Sequence, residues 1–235
     1  MNVFLAGASG VIGRPLIGLL RGAGHVVTGT TRSTSKIAEI EALGAKGVAV
    51  DAFDAEGLKR AVAAARPDIV IHQLTDLPDV SDPAQVAVVR EKNGRLRIEG
   101  TRNLMAAARA ANVRRVVAQS IAFIYAPGPT PHREGDPLDE ANGSVGGVKG
   151  LEQAVLNTPG IDGIVLRYGR LYGPGTWFDK PGSPGSLTCG AAAQAALLAT
   201  TRGTPGIYNI AEDDGTFSVE KARRELGFDP ADRAA

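Results

Sequence analysis

The stretch Val3-Phe-Leu-Ala-Gly7-Ala-Ser-Gly10-Val-Ile-Gly13 decides the fold of this 235-residue chain. An apolar run is followed by three glycines at three-residue spacing and then by an apolar pattern with helical periodicity. The pattern predicts a strand, a tight turn and the start of a helix. Gly7 permits the turn, Gly10 leaves the backbone open to a ligand, and Gly13 lets the helix pack closely on the strand. Free N–H groups at the positive end of this helix would then face a pyrophosphate.

The glycine spacing is GxxGxxG, which differs from the GxGxxG of many dinucleotide-binding turns. A glycine triplet alone is weak evidence, and a glycine-rich strand-to-helix turn without a ligand is the alternative. The position between a strand pattern and a helix pattern favours the binding interpretation. The predicted pyrophosphate contacts are the three glycines together with Ser9, Val11 and Ile12.

Composition argues against several classes of function. Lys and Arg number 26 against 25 Asp and Glu, so no basic excess indicates nucleic acid or an anionic membrane as a partner. No apolar run approaches the roughly 20 residues of a membrane-spanning helix. Cys189 is the only cysteine, and the three histidines are far apart in sequence, so no Cys/His cluster indicates a metal. We expect a soluble, cytoplasmic protein that acts on a small molecule.

Strand patterns alternate with helical patterns along most of the chain. Strands are predicted near residues 3–6, 25–30, 47–50, 68–72, 115–120, 163–168 and 206–210. This alternation is typical of an α/β fold with a doubly wound parallel sheet, the Rossmann fold. A long helix is expected over 83–111, with an interruption near Gly94. We predict one domain over 1–235, in which the Pro- and Gly-rich segment 126–145 and residues 173–235 form a small substrate-side lobe.

The residues after the second predicted strand, Thr30-Thr-Arg32-Ser33, indicate which cofactor is bound. In a doubly wound sheet, an acidic residue at this point binds the adenosine ribose of NAD, whereas a basic residue accommodates the 2′-phosphate of NADP. Arg32 can hold a phosphate through two hydrogen bonds, and Ser33 can add a hydroxyl. The sequence therefore favours NADP over NAD, with a solvated surface arginine as the alternative.

The ends of the other strands supply further candidate contacts. Asp51, followed by Ala52, ends the third strand and is placed to bind the adenine amino group. Leu74 follows the fourth strand near the second ribose, and Tyr168 ends the sixth strand. His72 is either a cofactor contact or a histidine satisfied at its own strand end. These residues complete the predicted cofactor site.

Several motifs together resemble one family. They are Gly7-Ala-Ser-Gly10-Val-Ile-Gly13, Pro67-Asp-Ile-Val-Ile-His72, Glu99-Gly-Thr-Arg-Asn103-Leu, Val116-Val-Ala-Gln-Ser120 and Leu166-Arg-Tyr-Gly-Arg-Leu-Tyr172-Gly-Pro-Gly175. In them the chain resembles the short-chain dehydrogenase/reductase superfamily, and most closely its extended branch of NAD-dependent epimerases and dehydratases. The resemblance implies a Rossmann fold that binds NAD(P).

The resemblance also implies a mechanism. In such enzymes a tyrosine acts as general acid/base, a lysine four residues later lowers its pKa and holds the nicotinamide ribose, and a serine or threonine after strand five polarises the substrate carbonyl. Lys149 and Ser120 match this pattern. Val145 stands at the tyrosine position and cannot transfer a proton. Arg97 is a second departure, because the family usually carries asparagine there.

Two hypotheses follow from Val145. In the first, the chain is an atypical oxidoreductase or an epimerase/dehydratase-like enzyme acting on a small carbonyl or sugar-type substrate, with Tyr125 or Tyr168 as proton donor. Packing of Tyr125 on the core is the alternative for that residue. In the second, the chain is a non-catalytic NADP(H)-binding sensor or regulator. The helix over 83–111 and the helix after residue 146 are predicted surfaces of a homodimer.

Three glycines, Gly146, Gly147 and Gly150, surround Lys149. Within a helix each glycine costs about 1 kcal/mol relative to alanine. We therefore expect this segment to be ordered by a ligand more than by its own helix propensity.

Overall fold

A parallel sheet organises the structure, a computed structural model that describes residues 1–77 and 83–232. In chain order the strands are β1 Asn2–Ala6, β2 Val26–Thr31, β3 Lys46–Ala49, β4 Ile69–His72, β5 Arg115–Ile121, β6 Asp162–Tyr168, β7 Arg170–Tyr172, β8 Ser186–Thr188 and β9 Gly206–Ile210. The main sheet has the order β3-β2-β1-β4-β5-β6-β9, and its neighbouring strands are parallel. The predicted α/β fold with a doubly wound parallel sheet is confirmed.

Helices connect the strands on both faces of the sheet. They are α1 Gly13–Gly22, α2 Ile37–Ala42, α3 Ala55–Ala65, α4 Val86–Arg95, α5 Thr101–Ala110, α6 Val145–Leu156, α7 Cys189–Leu198 and α8 Glu220–Leu226. The long helix predicted over 83–111 contains one π turn, Leu96–Gly100, which joins α4 to α5. The interruption therefore lies just after Gly94. No helix among the described residues is long and apolar enough to cross a membrane.

Two hydrophobic cores sandwich the sheet, because successive strand residues point to opposite faces. In β1, Val3 and Leu5 pack into the core covered by α1, α2, α7 and α8, whereas Phe4 packs into the core covered by α3, α5 and α6. Both faces of the central strands are thus covered, as parallel sheets require.

The strand register brings the functional residues to one edge of the sheet. Ala6 pairs with Thr30 on one side and with His72 on the other, and His72 pairs with Ala118. The carboxyl ends of β1, β2, β4 and β5 consequently lie side by side. Strand order reverses between β1 and β4, and ligands of open α/β sheets bind in the crevice at such a switch point.

The stretch over 173–187 is more regular than its Pro- and Gly-rich composition indicates. It contains β8, which pairs in parallel with β7 in a separate two-stranded sheet. The pairing needs glycine, because a Cβ on Gly169 would lie 2.2 Å from the Gly185 carbonyl oxygen. The segment over 126–145 contacts the C-terminal part, since the His132 N–H donates to the Thr216 carbonyl at 2.9 Å. The division into a main part and a substrate-side lobe stays a prediction.

Candidate functional site

The glycine turn is shaped first by the packing of the chain on itself. Gly7 has φ of +89°, and a Cβ there would lie 2.6 Å from the Gln73 carbonyl oxygen. A Cβ on Gly13 would lie 2.3 Å from the Gly7 carbonyl oxygen. The Gly10 N–H donates to that same oxygen at 3.1 Å. Glycine is therefore required at Gly7 and Gly13 for the close approach of β1, β4 and α1.

The start of α1 has the properties of an anion site. Among the described residues, the N–H groups of Val11 and Ile12 donate no hydrogen bond to a protein acceptor. Ile12 gives the helix no side-chain cap, and its first turn holds the cation Arg14 and no carboxylate. A cation at the positive end of a helix dipole is unfavourable unless an anion joins it. The arrangement fits a pyrophosphate bound by the free N–H groups.

Arg14 was missed by the sequence prediction, although it directly follows the third glycine of the turn. The loop after β7 reaches the same place. An added Cβ on Gly175 would lie 3.3 Å from Val11 Cγ1 and 3.6 Å from Arg14 Nη2. Gly175 itself has φ of +79°. The loop from the C-terminal part of the chain therefore passes over the glycine turn.

At the adenosine end, the predicted phosphate ligand Arg32 already has a protein partner. Its Nη2 donates to the Asp76 carboxylate at 2.8 Å, and the Arg32 side chain is 56% exposed. Arg32, Asp51 and Arg60 line an open cavity of about 500 Å³ between β3 and α3. A carboxylate beside Arg32 competes with any phosphate for the same guanidinium, and the sequence pattern did not reveal it.

Hydroxyl groups connect the glycine turn to the end of β2. The Ser9 hydroxyl donates to Thr31 Oγ1 at 3.2 Å, and the same oxygen accepts the Ser33 N–H at 3.2 Å. The Ser33 hydroxyl also lies 2.7 Å from that of Ser35. These contacts hold the predicted pyrophosphate contact Ser9 and the predicted 2′-phosphate contact Ser33 in one network. At the neighbouring strand end, the Asp51 carboxylate accepts the Phe53 N–H at 2.9 Å.

His72 ends β4 as a neutral, fully buried imidazole. Its Nδ1 accepts the Leu74 N–H at 3.2 Å, so the ring proton is on Nε2, which lies 2.9 Å from the Thr101 hydroxyl. The pKa of His72 is lowered to about 4, chiefly by burial and also by the charge of Arg97, against the opposite effect of the backbone hydrogen bond. Both ring nitrogens are used within the protein, which agrees with the structural alternative for this residue.

A buried network occupies the end of β5. The Ser120 hydroxyl donates to Glu152 Oε1 at 2.8 Å, and Ser120 is 1% exposed. Arg167 donates to both oxygens of the same carboxylate, from Nε at 2.8 Å and from Nη2 at 2.7 Å. Burial lowers the pKa of Arg167, but its hydrogen bonds with Glu152 outweigh that effect and raise the pKa overall. The geometry of Ser120 favours its role in this ion-pair network. Polarisation of a carbonyl by Ser120 stays a prediction.

The two candidate proton donors, Tyr125 and Tyr168, each donate and accept a hydrogen bond within the protein through the hydroxyl group. The Tyr125 hydroxyl donates to Asn209 Oδ1 at 2.6 Å and accepts from Arg167 Nη1 at 2.9 Å. The Tyr168 hydroxyl donates to the Ala192 carbonyl at 3.2 Å and accepts from Gln73 Nε2 at 3.1 Å. Burial raises the pKa of both phenols. These contacts favour packing roles for both residues, and neither is assigned proton transfer.

The second turn of α6 begins with the lysine that the family pattern identifies. Lys149 is half-exposed and forms an ion pair with Glu140, whereas Val145 begins the helix. A Cβ on Gly147 would lie 3.0 Å from the Gly94 Cα, and one on Gly150 would lie 2.8 Å from Ile98 Cγ1. These two glycines permit close packing of α6 on α4 and the π turn. Ordering of this segment by a ligand is not needed to explain them.

The sequence predicts no metal site. Among the described residues, no group of three or more His, Cys, Asp or Glu side chains could hold a metal ion. Cys189 is buried at the start of α7, and burial raises the pKa of its thiol to about 11. It therefore stays protonated at neutral pH and is a poor nucleophile.

The sequence is similar to those of known NAD(P)H-binding proteins. A family model described as NAD(P)H-binding matches residues 7–178. A relative from a Streptomyces species, named 3-diazoavenalumate denitrifying reductase, is 46% identical over 189 residues. That alignment covers 77% of this chain but only 60% of the relative. The matched part of this chain thus corresponds to less than two thirds of the relative's length.

Solved structures share the fold at low sequence identity. UDP-glucose 4-epimerase from Thermotoga maritima, solved with UDP-glucose, has a TM-score of 0.81 at 17% identity over 98% of this chain and 94% of that chain. The Bordetella bronchiseptica enzyme WbmG, in complex with NAD and UDP, has a TM-score of 0.78 at 17% identity over 100% of this chain and 92% of that chain. The likeness at this identity shows that the chain has the fold of these enzymes, as the predicted resemblance implies, and it shows the fold alone.

Proposed function

The chain belongs to the NAD(P)H-binding family, and we propose that it is a reductase that removes dinitrogen from a small aryldiazonium compound. In the proposed reaction, hydrogen delivered as hydride replaces the N2⁺ group and dinitrogen leaves. The observation that carries the proposal is Val145, which stands where related carbonyl reductases have their proton donor.

Carbonyl and diazonium substrates differ in their need for a proton. A carbonyl that accepts hydride becomes an alkoxide, which must take up one proton to form the alcohol. An aryldiazonium ion, ArN2⁺, that accepts hydride yields ArH and N2, so atoms and charge balance and no proton is consumed. Val145 has no transferable proton, and the hydroxyl protons of Tyr125 and Tyr168 are used in hydrogen bonds within the protein. This suits the diazonium reaction, which consumes no proton.

The Streptomyces relative supports the same reaction class. Its name describes a reductase that acts on a diazo compound and removes nitrogen, and its aligned part is 46% identical to this chain. Because the alignment covers 60% of the relative, transfer of its activity to this chain is part of the proposal. The substrate differs from the carbonyl or sugar-type compound that the sequence alone indicates.

We assign the cofactor site to the edge of the sheet around the glycine turn. The N–H groups of Val11 and Ile12 would bind the pyrophosphate, with the charge of Arg14 nearby. Arg32 and Ser33 would bind a 2′-phosphate, so NADP is preferred over NAD. The other proposed contacts are Gly7, Ser9, Gly10, Gly13, Asp51, Ala52, Leu74, Lys149 and Tyr168. Bound there, NADPH supplies the hydride.

Water must be kept from the reacting carbon, because aryldiazonium ions are also lost to water as phenols. The loop at Gly175 covers the glycine turn from the substrate side. The Glu152 carboxylate on α6 is bonded to Arg167 on β6 and to the Ser120 hydroxyl on β5, and so it ties α6 to both strands. We propose that these elements bind and orient the substrate in a sheltered site.

The test is product analysis with benzenediazonium carrying 15N at both nitrogens. We expect benzene and one NADPH oxidised for each benzene formed, both dependent on the protein, while labelled dinitrogen equals the sum of benzene and the phenol from spontaneous hydrolysis. Omission of NADPH should leave only the spontaneous phenol. Phenol alone with no NADPH oxidation, over a panel of substituted aryldiazonium ions, would contradict the proposal.

A non-catalytic NADP(H)-binding regulator is the alternative hypothesis from Val145, and no relative named above favours it. Such a protein would bind NADPH and oxidise none of it with any substrate in the panel. We also propose a homodimer through the helices over 83–111 and after residue 146. Val88 and Ile98 leave apolar surface exposed there, and light scattering tests the dimer.

A further inference from the structure

Arg97 is a buried cation that has no hydrogen-bonding partner among the residues that the structure describes. It lies on the π turn between α4 and α5 and is 5% exposed. Its Nε is fully buried with no acceptor. Within residues 1–77 and 83–232, no hydrogen bond from its other two guanidinium nitrogens is found either. Arginine side chains in protein interiors are ordinarily paired, so the missing partner of Arg97 is accounted for if a ligand supplies it.

The guanidinium lies beside the candidate site. Its Cδ would be 3.5 Å from a Cβ on Gly147, which lies in the first turn of α6, two residues before Lys149. Its charge also acts on His72, which ends β4 at the switch point of the sheet. Arg97 is therefore held between the end of β4 and the start of α6, where the reacting end of the cofactor and the substrate would meet.

The charge around Arg97 is not balanced by the protein. Glu152 is the carboxylate that acts on it, but both oxygens of Glu152 are occupied by Arg167 at 2.7 and 2.8 Å. Two buried guanidinium groups thus share one carboxylate, which leaves a net charge of +1. Burial lowers the pKa of Arg97 to about 10 against the effect of Glu152, so the group is still charged at neutral pH.

An unpaired buried charge is costly, and an anionic ligand removes that cost. A guanidinium presents parallel N–H donors that match the two oxygens of a carboxylate. From this geometry we propose that Arg97 is the anchor for a carboxylate group of the substrate. The inference rests on the proposed function only in placing the substrate at this edge of the sheet, and it narrows the substrate class to aryl acids.

Glycine at Gly147 is part of the same arrangement. A Cβ there would crowd the Gly94 Cα at 3.0 Å and would lie in van der Waals contact with Arg97 Cδ at 3.5 Å. Gly147 therefore keeps α6 close to the π turn while leaving room for the guanidinium. The asparagine that the family usually carries at position 97 could not supply this charge.

The test measures binding, separately from turnover. Benzoate and its neutral analogue benzamide are titrated by calorimetry into the protein loaded with NADP⁺. We expect Arg97→Met to weaken benzoate binding at least tenfold, Arg97→Lys to weaken it less, and benzamide to bind poorly to all variants. Arg102→Met, which removes an exposed arginine from α5, is the matched control and should leave benzoate binding unchanged.

Stability gives a second readout. An arginine that serves only the fold would destabilise the protein when replaced, whereas replacement of an unpaired buried charge by Met should leave the Tm unchanged or raise it. Unchanged benzoate affinity in Arg97→Met would overturn the inference, as would a fall in Tm with no loss of benzoate binding. Displacement of benzoate by equimolar inorganic phosphate would overturn the carboxylate assignment.

Failure of the inference and failure of the proposed function are distinguishable. Arg97-dependent benzoate binding without reduction of any aryldiazonium ion contradicts the reductase and leaves the anion site intact. Reduction of a carboxylate-bearing aryldiazonium ion with the same kcat/KM by wild type and Arg97→Met supports the reductase and removes the anchor.

Discussion

Arg32 Nη2 donates a hydrogen bond to the Asp76 carboxylate at 2.8 Å, across 44 residues of sequence. The cation proposed to bind the 2′-phosphate of NADP is thus held by an anion from the loop after β4. The Asp76 N–H in turn donates to Asn93 Oδ1 at 3.1 Å, which fixes the loop on α4. In the proposed site, the preference for NADPH over NADH therefore depends on competition between the Asp76 carboxylate and the 2′-phosphate for Arg32.

Removal of that competition should favour NADPH. In Asp76→Asn we expect NADPH affinity to rise by at most about fivefold, because exposed ion pairs contribute about 1 kcal/mol or less. NADH affinity should stay the same. Arg32→Ala should weaken NADPH binding by about tenfold or more and cancel the gain from Asp76→Asn. Fluorescence titration of both nucleotides measures this, and equal NADPH and NADH affinities in wild type would contradict the role of Arg32.

The glycine turn offers a matched pair of substitutions on one helix. Gly13→Ala would place a Cβ 2.3 Å from the Gly7 carbonyl oxygen, so the turn must shift. We expect loss of NADPH binding and a lower Tm. Gly18→Ala has nothing within 4 Å of its Cβ and should stabilise the protein by about 0.5–1 kcal/mol with unchanged NADPH affinity. Calorimetry and thermal unfolding check both, and normal NADPH binding by Gly13→Ala would argue against this site.

The buried ion pair should be essential for stability. Glu152→Gln leaves Arg167 without its counter-charge, which costs about 3–5 kcal/mol and lowers the Tm by roughly 6–20 °C. Glu99→Gln removes an exposed partner of Arg95 and should hardly change the Tm.

Ser120→Ala tests the same network from its hydroxyl donor. If Ser120 serves the network, the Tm falls while kcat for the proposed reduction changes little. A large fall in kcat with an unchanged Tm would instead support a role in substrate polarisation.

A tyrosine at position 145 should add the missing proton donor. We expect wild type to reduce no aldehyde in a panel of benzaldehydes, and Val145→Tyr to reduce some of them with NADPH, aided by Lys149. Val145→Phe has the same ring without the hydroxyl and should show no such activity. Aldehyde reduction by wild type at a comparable rate would show that another group transfers the proton.

His72 should make the protein sensitive to mild acid. Its pKa is about 4 in the folded chain against an ordinary 6.5, so between these values the unfolded chain binds more protons. Stability is then fully present above about pH 6.5 and is lost progressively towards pH 4, by about 3 kcal/mol in total. Denaturant unfolding from pH 7.5 to 4.5 should show a smaller loss in His72→Gln. Equal losses in both proteins would contradict this contribution.

The apolar alternation and the glycine turn were sufficient to predict the fold. Short apolar runs such as Ile69–His72 and helical runs such as that of α3 are local patterns, and a right-handed β-α-β chain has few ways to bury both. α6 begins at Val145, the last residue of the Pro- and Gly-rich segment over 126–145. Local helix propensity therefore does not determine where this helix starts. Its glycines cost helix stability locally, and close packing on α4 compensates for them.

The sequence by itself determined the parallel α/β fold, the glycine turn at Gly7 and the absence of tyrosine at Val145, because each depends on neighbouring residues or on a single identity. Only the tertiary structure decided which groups are already partnered. Ser120 meets Glu152 across 32 residues, Arg32 meets Asp76, and Arg97 Nε meets no acceptor in the described part of the chain. Hydrogen bonds join atoms at about 3 Å, a distance that folding sets and that spacing along the chain does not encode.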